Sequence, residues 1–222
     1  MFTLVFDTTG SGCSIALSKN GQIMSTYEKM MDFGQSEVLI PQIQNILSAN
    51  SINFSDVSSL FVCVGPGSFT GVRSSISAAR VFGVASPRLK IGGISAFDAY
   101  AQSFDKNDLS GKNAVIIETR RDDFYIQIFD KNLNKVTEPQ ALSREEIIEA
   151  LKEYGETISL CGDGVMRFLS VPSGLCLNAI KMQETLPVEA LVQAAQKALS
   201  ENKINYPKPL YLRAPDVCVP NK

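Results

Sequence analysis

Residues 60–73 have the sequence LFVCVGPGSFTGVR, and this stretch decides the fold. A short apolar run, rich in β-branched and aromatic residues, ends at a Gly-Pro-Gly turn, which predicts a buried strand followed by a sharp change of direction. Gly65 and Gly67 can take positive φ because glycine has no Cβ to clash there, and Pro66 fixes its own φ between them. Thr70 is expected to cap a helix that begins at Gly71.

A strand, a glycine-rich turn and a helix N-terminus can together bind a phosphate or a carboxylate, because free backbone N–H groups and the helix dipole point at the anion. The alternative is that the glycines only close the turn and let the helix pack tightly on the sheet. The stretch is not a Walker loop, since no Gly-Lys-Ser/Thr follows, and three residues rather than two separate Gly67 from Gly71. The spacing alone leaves both interpretations open.

The composition limits the class of protein. A chain of 222 residues with 45% hydrophobic and 20% charged residues can form one large domain or two lobes. Its net charge of −2 argues against a stand-alone nucleic-acid binder. Met1 leads directly into a strand-like run, so no secretory signal is expected, and no apolar run is long enough to span a membrane. The five cysteines lack C-x-x-C spacing, which predicts reduced thiols in a cytoplasmic protein.

The chain contains no histidine. This excludes Ser-His-Asp and Cys-His nucleophilic sites and every imidazole-ligated metal site. Any general base has to be a carboxylate, a lysine, a tyrosine or a thiolate. No cofactor and no metal site are expected, although in the kinase hypothesis below Asp7 would serve as a base or a metal-binding carboxylate.

The predicted elements repeat. Strands at 2–7, 13–18 and 22–28, a helix at 36–49, the strand at 60–64 and a helix at 71–85 form one unit, followed by a short strand at 90–93 and a helix capped by Ser95. Strands at 113–118, 124–129 and near Val136, a helix capped by Ser143 that runs to Tyr154, a strand at 158–161 and a helix from Pro187 to Leu199 form the second.

This order predicts a two-lobed α/β protein with mixed sheets, a duplicated βββαβα unit and a degenerate second lobe. The lobes are expected at residues 1–105 and 106–222, separately cored, with a polar connection at 105–111. Asp7 and Glu118 are expected at matching strand ends on either side of a cleft.

The duplicated pattern resembles the actin-like ATPase and sugar-kinase superfamily, and the residues at 64–73 resemble the signature of the TsaB family of bacterial tRNA-modification proteins. The match extends to Phe6-Asp7-Thr8-Thr9 with the following strand, Gln35-Ser36-Glu37, Arg120-Arg121, Gly162-Asp163-Gly164 and Pro209-Leu210-Tyr211-Leu212-Arg213. Two positions depart from the family pattern: Gln35 stands where the family usually has histidine, and Glu118 stands where it usually has aspartate.

The resemblance implies a non-catalytic subunit in the cytoplasm. Its partner is a TsaD-like paralogue that carries metal-binding histidines and transfers a threonylcarbamoyl group to a tRNA adenosine beside the anticodon. A TsaE-like ATPase joins them, tRNA is reached only through the complex, and the chain alone can form a homodimer. The missing histidine independently fits a pseudo-enzyme.

The helices at 36–49 and 71–85 are predicted to form the partner interface, because the second is lined by small residues that let another helix approach closely. The alternative is core packing against the sheet. The predicted contact residues are Leu39, Ile43, Ile46, Val72, Ser75, Ala78, Ala79 and Phe82. For Arg73 and Arg80 the alternatives are ordinary surface charge and an ion pair with a partner.

The second functional hypothesis is an autonomous small-molecule kinase or ATPase. Residual nucleotide binding is then expected at Asp7, Thr8, Gly65, Gly67 and Ser68. A kinase also needs a second phosphate turn, for which Gly162-Asp163-Gly164 is the candidate, and an adenosine motif, which the sequence lacks. A cysteine or serine hydrolase is disfavoured because no imidazole exists, and the interpretation preferred for Glu118, Arg120 and Arg121 is a charged hairpin.

Overall fold

The computed structural model describes residues 1–105, 107, 109, 111–154 and 157–213. Apolar runs that are buried on both faces form the central strands, and amphipathic segments form the helices that cover them. The first half contains β1 (Phe2–Asp7), β2 (Gly12–Lys19), β3 (Gln22–Met30), α1 (Gln35–Ala49), β4 (Val57–Cys63), α2 (Phe69–Ala85), β5 (Lys90–Ile94) and α3 (Ala96–Ala101), with a 3-10 turn at Phe54–Asp56. The second half contains β6 (Lys112–Glu118), β7 (Asp123–Asp130), β8 (Gln140–Ser143), α4 (Arg144–Lys152), β9 (Ile158–Gly162), α5 (Val165–Leu169), β10 (Leu177–Met182) and α6 (Val188–Ser200).

Each half builds one five-stranded mixed sheet with the same topology. The strand orders are β3-β2-β1-β4-β5 and β10-β9-β6-β7-β8. In both sheets the first strand pairs antiparallel with the second and parallel with the fourth. The duplicated βββαβα order is thus confirmed, and each half extends it by a further strand and helix. Asp7 and Glu118 end the two equivalent central strands.

Three clusters of buried residues hold the layers together. One lies between the first sheet and the helices α1 and α2, and a second lies between the second sheet and the helices α4 and α5. The third joins both halves, because it contains Val5 and Phe61 of the first sheet, Val115 and Phe129 of the second, and Leu191 of α6. Each half thus has a core cluster of its own, as expected, and no strand among the described residues pairs across the halves; the expectation needs a correction only because the third cluster is shared.

The third cluster forms by an exchange of helices. The last helix, α6, packs on β1, β2, β3 and β5 of the first sheet, whereas α3 packs on β6, β7 and β9 of the second. The predicted lobe boundary at 105/106 borders residues outside the described part of the chain, and the division into 1–105 and 106–222 stays a prediction.

Several local predictions need correction. Ser68, not Thr70, caps α2, because its side-chain oxygen accepts a hydrogen bond from the N–H of Gly71. At α1 the cap is Gly34 with φ of 87°, so the helix includes Gln35. The third strand of the second half lies at Gln140–Ser143 rather than near Val136. The capping box at Ser143 and the cap at Ser95 are confirmed.

Cys13, Cys63 and Cys176 are reduced thiols, as predicted, and Cys218 lies outside the described residues. Within the described ranges no helix combines the length and the apolar character that crossing a membrane requires.

Candidate functional site: the interlobe cleft and the outer face of α1 and α2

Three glycines, two in the Gly-Pro-Gly turn and one at the start of α2, occupy positions that other residues could not, for different structural reasons. Gly65 has a φ of 93°, as predicted. Gly67 does not use the positive φ that glycine allows; a Cβ there would lie 2.5 Å from the carbonyl oxygen of Thr9. At Gly71 a Cβ would overlap the carbonyl oxygen of Thr8. The turn and the start of α2 therefore press directly on the connection between β1 and β2.

This contact uses donors that a phosphate would need. The N–H of Ser68 donates to the carbonyl oxygen of Thr9 at 2.8 Å. The hydroxyl of Thr8 donates to the carbonyl oxygen of Gly71 at 2.8 Å and is hydrogen-bonded to the hydroxyl of Ser75 at 2.7 Å. The interpretation in which the glycines allow close packing is therefore supported by geometry, and nucleotide binding stays a prediction.

Beside the turn, a cleft of about 750 Å³ lies between the two halves. Asp7, Gly67 and Ser68 line it on one side and Glu118 on the other, whereas Thr8 and Gly65 are buried behind it. The expected placement of Asp7 and Glu118 on opposite sides of a cleft is confirmed. Gln35, at the position where the family usually has histidine, also lines the cleft and donates its Nε2 to the carbonyl oxygen of Met31 at 2.9 Å.

The two strand-end carboxylates have opposite electrostatic environments. Burial raises the pKa of Asp7, which the hydrogen bond from the N–H of Thr9 at 2.7 Å only partly offsets. Burial also acts on Glu118, but hydrogen bonds from the Arg167 guanidinium, at 2.7 Å to each carboxylate oxygen, outweigh it and lower the pKa of Glu118. The glutamate accordingly belongs to an ion pair that was not predicted from the sequence.

Asp163 is a third carboxylate in the cleft. Burial, together with the charges of Glu118 and Asp7, raises the pKa of Asp163 to about 7, although the N–H of Glu118 donates to it at 2.9 Å. Tyr100 of α3 lines the same cleft and is almost completely buried. From the sequence, Asp163 was predicted only as part of a turn, because the proximity of three acids comes from residues far apart in the chain.

Two arginines cross between the halves at this cleft. Arg120 has a φ of 58°, and its Nη2 donates to the hydroxyl of Ser11 in the opposite turn at 2.7 Å. Arg213 forms an ion pair with Asp123 at the start of β7. The preferred interpretation of Arg120 as part of an ordinary charged hairpin thus needs a correction, because this side chain bridges the lobes.

Arg213 belongs to a segment, residues 204–213, that we call the C-terminal strap. The strap runs along the first half, where Asn205 accepts a hydrogen bond from the N–H of Gly93 and the N–H of Leu210 donates to Val64, both at 2.8 Å. Its last four described residues, 210–213, line the cleft. Part of the space between the lobes is therefore occupied by the chain itself.

The residues predicted to contact a partner are mostly core residues. Leu39, Ile43, Ile46, Val72, Ser75 and Ala79 are all buried within the chain, and Ala78 and Phe82 are partly buried against the same cluster. As direct contact residues these six buried side chains are a wrong choice, because the apolar stripe of each helix faces its own sheet. The role of the two helices in docking stays a prediction.

Other residues form the outer face of the pair. Val81 and Val84 of α2 are 66% and 84% exposed, and Ile40 of α1 is 38% exposed. Phe69, the first residue of α2, is also exposed and stacks on Tyr211 of the strap with ring centroids 5.3 Å apart. The outer face thus keeps large apolar side chains in contact with water.

No group of three or more potential metal ligands occurs within residues 1–105, 107, 109, 111–154 and 157–213. The carboxylates in the cleft are engaged instead by backbone N–H groups and by arginine.

The family model and the curated relatives that match this chain all belong to tRNA threonylcarbamoyladenosine formation. A family model described as "TsaD: tRNA N6-adenosine threonylcarbamoyltransferase" matches residues 34–208. The tRNA threonylcarbamoyladenosine biosynthesis protein TsaB of Escherichia coli is 26% identical over 96% of this chain and 95% of its own length. The TsaB protein of Bacillus subtilis is also 26% identical, over 73% of this chain and 71% of its own length.

Solved structures support the fold. YeaZ from Pseudomonas aeruginosa superimposes with a TM-score of 0.77 at 23% identity, covering 95% of this chain and 99% of its own. The ADPNP-bound activator of 2-hydroxyisocaproyl-CoA dehydratase from Clostridium difficile has a TM-score of 0.53 at 10% identity, covering 91% and 96%. The actin-like fold predicted from the sequence is thereby confirmed. The chain belongs to the TsaD family of tRNA N6-adenosine threonylcarbamoyltransferases, and the curated relatives that it resembles within that family are TsaB proteins.

Proposed function

We propose that this chain is a non-catalytic subunit that docks through the outer face of α1 and α2 onto a TsaD-like transferase. In that complex it supports the threonylcarbamoylation of a tRNA adenosine next to the anticodon. A TsaE-like ATPase joins the complex, tRNA is reached through the complex, and the place of action is the cytoplasm. The proposal is motivated by the names of the relatives and by the exposed side chains of the helix pair.

The exposed valines of α2 are the observation that carries the docking proposal. Val81 and Val84 lie three residues apart on one face of the helix, with more than half of each surface in water. Removing apolar surface from water contributes roughly 25 cal/mol per Å², so a partner that covers this face gains affinity. The buried apolar stripe of the same helix packs on the first sheet. The outer face is therefore left for contact with a partner.

The non-catalytic part of the proposal rests on the chemistry present. The chain has no histidine to hold a metal or to act as a base. In the cleft, the strap residues 210–213 and Arg120 form part of the lining. Asp7 and Asp163 are carboxyl groups whose pKa is raised by burial, which favours the protonated form over the charged form that would bind a metal–nucleotide complex.

The experiment is co-purification with a TsaD-like protein from the same source, followed by a mass measurement of the complex. Val84→Glu should abolish capture, because a carboxylate buried without a partner costs several kcal/mol. Its matched control is Val171→Glu in the second half, a valine that is 53% exposed and distant from α2 in sequence. The control should bind as the wild type does, and both variants should melt within about 1 kcal/mol of the wild-type stability.

The kinase or ATPase hypothesis predicts a different result. The purified chain should hydrolyse ATP or phosphorylate a small molecule by itself, and Asp7→Ala should remove that activity. We expect no turnover by the isolated chain. Turnover that is lost in the Asp7→Ala variant, together with no capture of the transferase, would replace the subunit proposal with the enzyme hypothesis.

A further inference from the structure

The C-terminal strap lies against the backbone of the first half. The N–H of Leu210 donates to the carbonyl oxygen of Val64 at 2.8 Å. At Gly93 a Cβ would lie 3.0 Å from the Cα of Pro207, and at Gly65 a Cβ would lie 3.2 Å from the carbonyl oxygen of Leu210. A side chain at either glycine would press on the strap, so the first half is shaped to receive this segment.

Side chains also hold the strap on the first half. Arg80 donates to the carbonyl oxygen of Pro207 at 2.8 Å, and its guanidinium lies 5.3 Å from the ring centroid of Tyr206. Near the other end of the strap, Tyr211 stacks on the first residue of α2. Leu212 packs against the core cluster that both halves share. The strap up to its last described residues therefore belongs to the folded structure.

The end of the strap crosses to the second half. Arg213 forms an ion pair with Asp123, whose side chain is only 12% exposed. The hydroxyl of Thr119 lies 2.8 Å from Oδ1 of the same carboxylate. A carboxylate that is this deeply buried is costly when no positive charge faces it. Arg213 supplies that charge, and it does so from a segment that is otherwise attached to the first half.

Arg120 makes a second link, in the opposite direction. It belongs to the turn between β6 and β7 of the second half, and its Nη2 donates to the hydroxyl of Ser11 in the first half at 2.7 Å. The same guanidinium lies 3.9 Å from the carboxylate of Asp32. The backbone of Arg120 has a φ of 58°, and its N–H donates to the carboxylate of Glu118 at 2.5 Å. The turn is thus fixed in the conformation from which the guanidinium reaches the first half.

The two links lie at the rim of the cleft, whereas the shared core lies at its floor. Tyr100 and Ile117 line the cleft and belong to the shared cluster. No strand among the described residues pairs across the halves. Two bodies that share a packed seam on one side and a cleft on the other can open by rotation about the seam. Contacts at the rim are therefore the ones that oppose such a rotation.

We propose that Arg213 and Arg120 form a latch that keeps the two halves closed over the cleft, and that release of the end of the strap opens it. The shared cluster is the hinge, and the strap carries Arg213 across from the first half. The chain thereby supplies from its own sequence the contacts between the halves that a ligand in a cleft can make. The inference is independent of the proposed docking function, because neither arginine belongs to α1 or α2.

Two native thiols can report on opening. Cys63 is buried in the shared cluster, directly behind Thr9, which lines the cleft and donates its hydroxyl to Sγ of Cys63 at 3.4 Å. Cys13 is buried in the cluster between the first sheet and its helices α1 and α2. Burial raises the pKa of both thiols, that of Cys13 to about 12, so neither reacts readily in the closed structure. Opening of the cleft uncovers Cys63 alone, whereas global unfolding uncovers both.

The first test measures the labelling rate of each cysteine with iodoacetamide by peptide mass spectrometry. In Arg213→Met the rate at Cys63 should rise by about tenfold or more, because the buried carboxylate loses its partner and local opening becomes easier. Arg120→Asn should also raise it, and asparagine tolerates the positive φ of that position. The rate at Cys13 should stay at the wild-type value. The control, Arg88→Met, removes an exposed arginine that does not line the cleft and should change neither rate.

The second test asks whether Arg213 acts through Asp123. If the ion pair is the contact that closes the latch, Asp123→Asn should raise the labelling rate at Cys63 as Arg213→Met does. The double variant should then label no faster than either single variant, because both changes remove the same interaction. Arg120→Asn acts at a separate contact, so it should raise the rate further in each of these backgrounds.

Three outcomes would overturn the latch. If Cys63 labels at the wild-type rate in the variant that lacks both Arg213 and Arg120, the shared core alone holds the halves together. If the rates at Cys13 and Cys63 rise together, the arginines stabilise the whole fold and do not control the cleft. If the effects of Arg213→Met and Asp123→Asn multiply, the ion pair is not the link between the halves.

Discussion

The two halves share one topology, but the helices that cover their sheets differ in length. In the first half the helices on the outer side of the sheet, α1 and α2, have 15 and 17 residues. Their counterparts in the second half, α4 and α5, have 9 and 5 residues, yet they cover an equivalent five-stranded sheet. The extra length of α1 and α2 is therefore not required to cover a sheet of this size, and it coincides with the exposed valines and arginines.

The halves also differ in how the end of the first, central strand meets the helix that follows the fourth strand. If the N-caps Ser68 and Gly164 are matched, Gly71 corresponds to Arg167. In the first half the glycine lets the carbonyl of Thr8 contact the helix backbone. In the second half the arginine reaches the strand-end carboxylate of Glu118 and stacks 3.8 Å above the ring of Phe124. Backbone contact and an ion pair thus solve the same packing problem.

The largest effect is expected where the backbone contact is blocked. Gly71→Ala should lower the free energy of unfolding by at least about 3 kcal/mol, because the new Cβ overlaps the carbonyl oxygen of Thr8 and neither backbone can yield easily. Urea denaturation measures the loss. The control, Gly10→Ala, adds a Cβ with no atom within 4 Å and should change stability by less than about 0.5 kcal/mol. Equal effects at the two glycines would refute the close-contact explanation.

A smaller effect is expected at the buried acid of the second half. Because the pKa of Asp163 is raised in the fold from its ordinary 3.8 to about 7, the native state holds a proton that the unfolded state releases. Stability should therefore fall as pH rises from 4 to 7 and then level off. Asp163→Asn removes this fall, so it should stabilise the protein at pH 8 and have little effect at pH 4. Thermal melts across this range measure the difference; the same gain at both pH values would argue against the titration.

Breaking the ion pair should cost less. Arg167→Met keeps an apolar stem over Phe124 but loses the hydrogen bonds to Glu118, and it should destabilise the fold by about 1 kcal/mol at pH 7, since the pair is partly exposed and screened by water. The pKa of Glu118 is lowered from 4.5, so its stabilisation is present above 4.5 and is lost as pH falls through the folded pKa. Urea denaturation at neutral and at acidic pH should show the cost of the variant shrinking at low pH.

Lys152→Met is the control for this ion pair, because Lys152 forms an exposed pair with Glu149. We expect a change within about 0.5 kcal/mol at either pH.

The smallest effect is expected in the pH dependence of stability of variants at the two strand-end acids, Asp7 and Glu118. The pKa of Asp7 is raised and that of Glu118 is lowered, so their neutral variants should change the pH dependence of stability in opposite directions. Relative to the wild type, Asp7→Asn should become more favourable as pH rises from 3 to 6, and Glu118→Gln should become less favourable. Parallel slopes in the two variants, measured by thermal melting, would contradict the environments described for these carboxylates.

The central strands could be predicted because their local sequence is distinctive. Residues 60–64 and 113–118 are nearly continuous apolar runs, as strands buried on both faces require, and Ser143 with Glu146 forms a capping box within four residues. The short edge strand β10 and the short helix α5 were missed, because pieces of five or six residues carry little periodic pattern. Element order could still be recognised because the same sequence of elements occurs twice.

The candidate site was harder to predict for a physical reason. Helical periodicity identifies the apolar stripe, and that stripe packs on the helix's own sheet, which is why Leu39, Ile43 and Val72 were mistaken for contact residues. Val81 and Val84, the exposed residues, break the periodic pattern. The pair of Arg167 with Glu118 and the bond of Arg120 to Ser11 join residues 49 and 109 positions apart, so only the fold brings them together.

The exchange of α3 and α6 affects when the first half can complete its folding during synthesis. Synthesis from the N-terminus completes the first sheet early, but its inner face is covered by α6, the last helix of the described chain. A nascent chain that ends after α3 therefore displays Val5, Ala16 and Phe61 without their cover. We therefore expect the first half to bury this face only after α6 has been synthesised, and to be prone to aggregation until then. A gene fragment that encodes the first half alone should give an aggregating product, which becomes soluble when the second half is supplied as a separate chain.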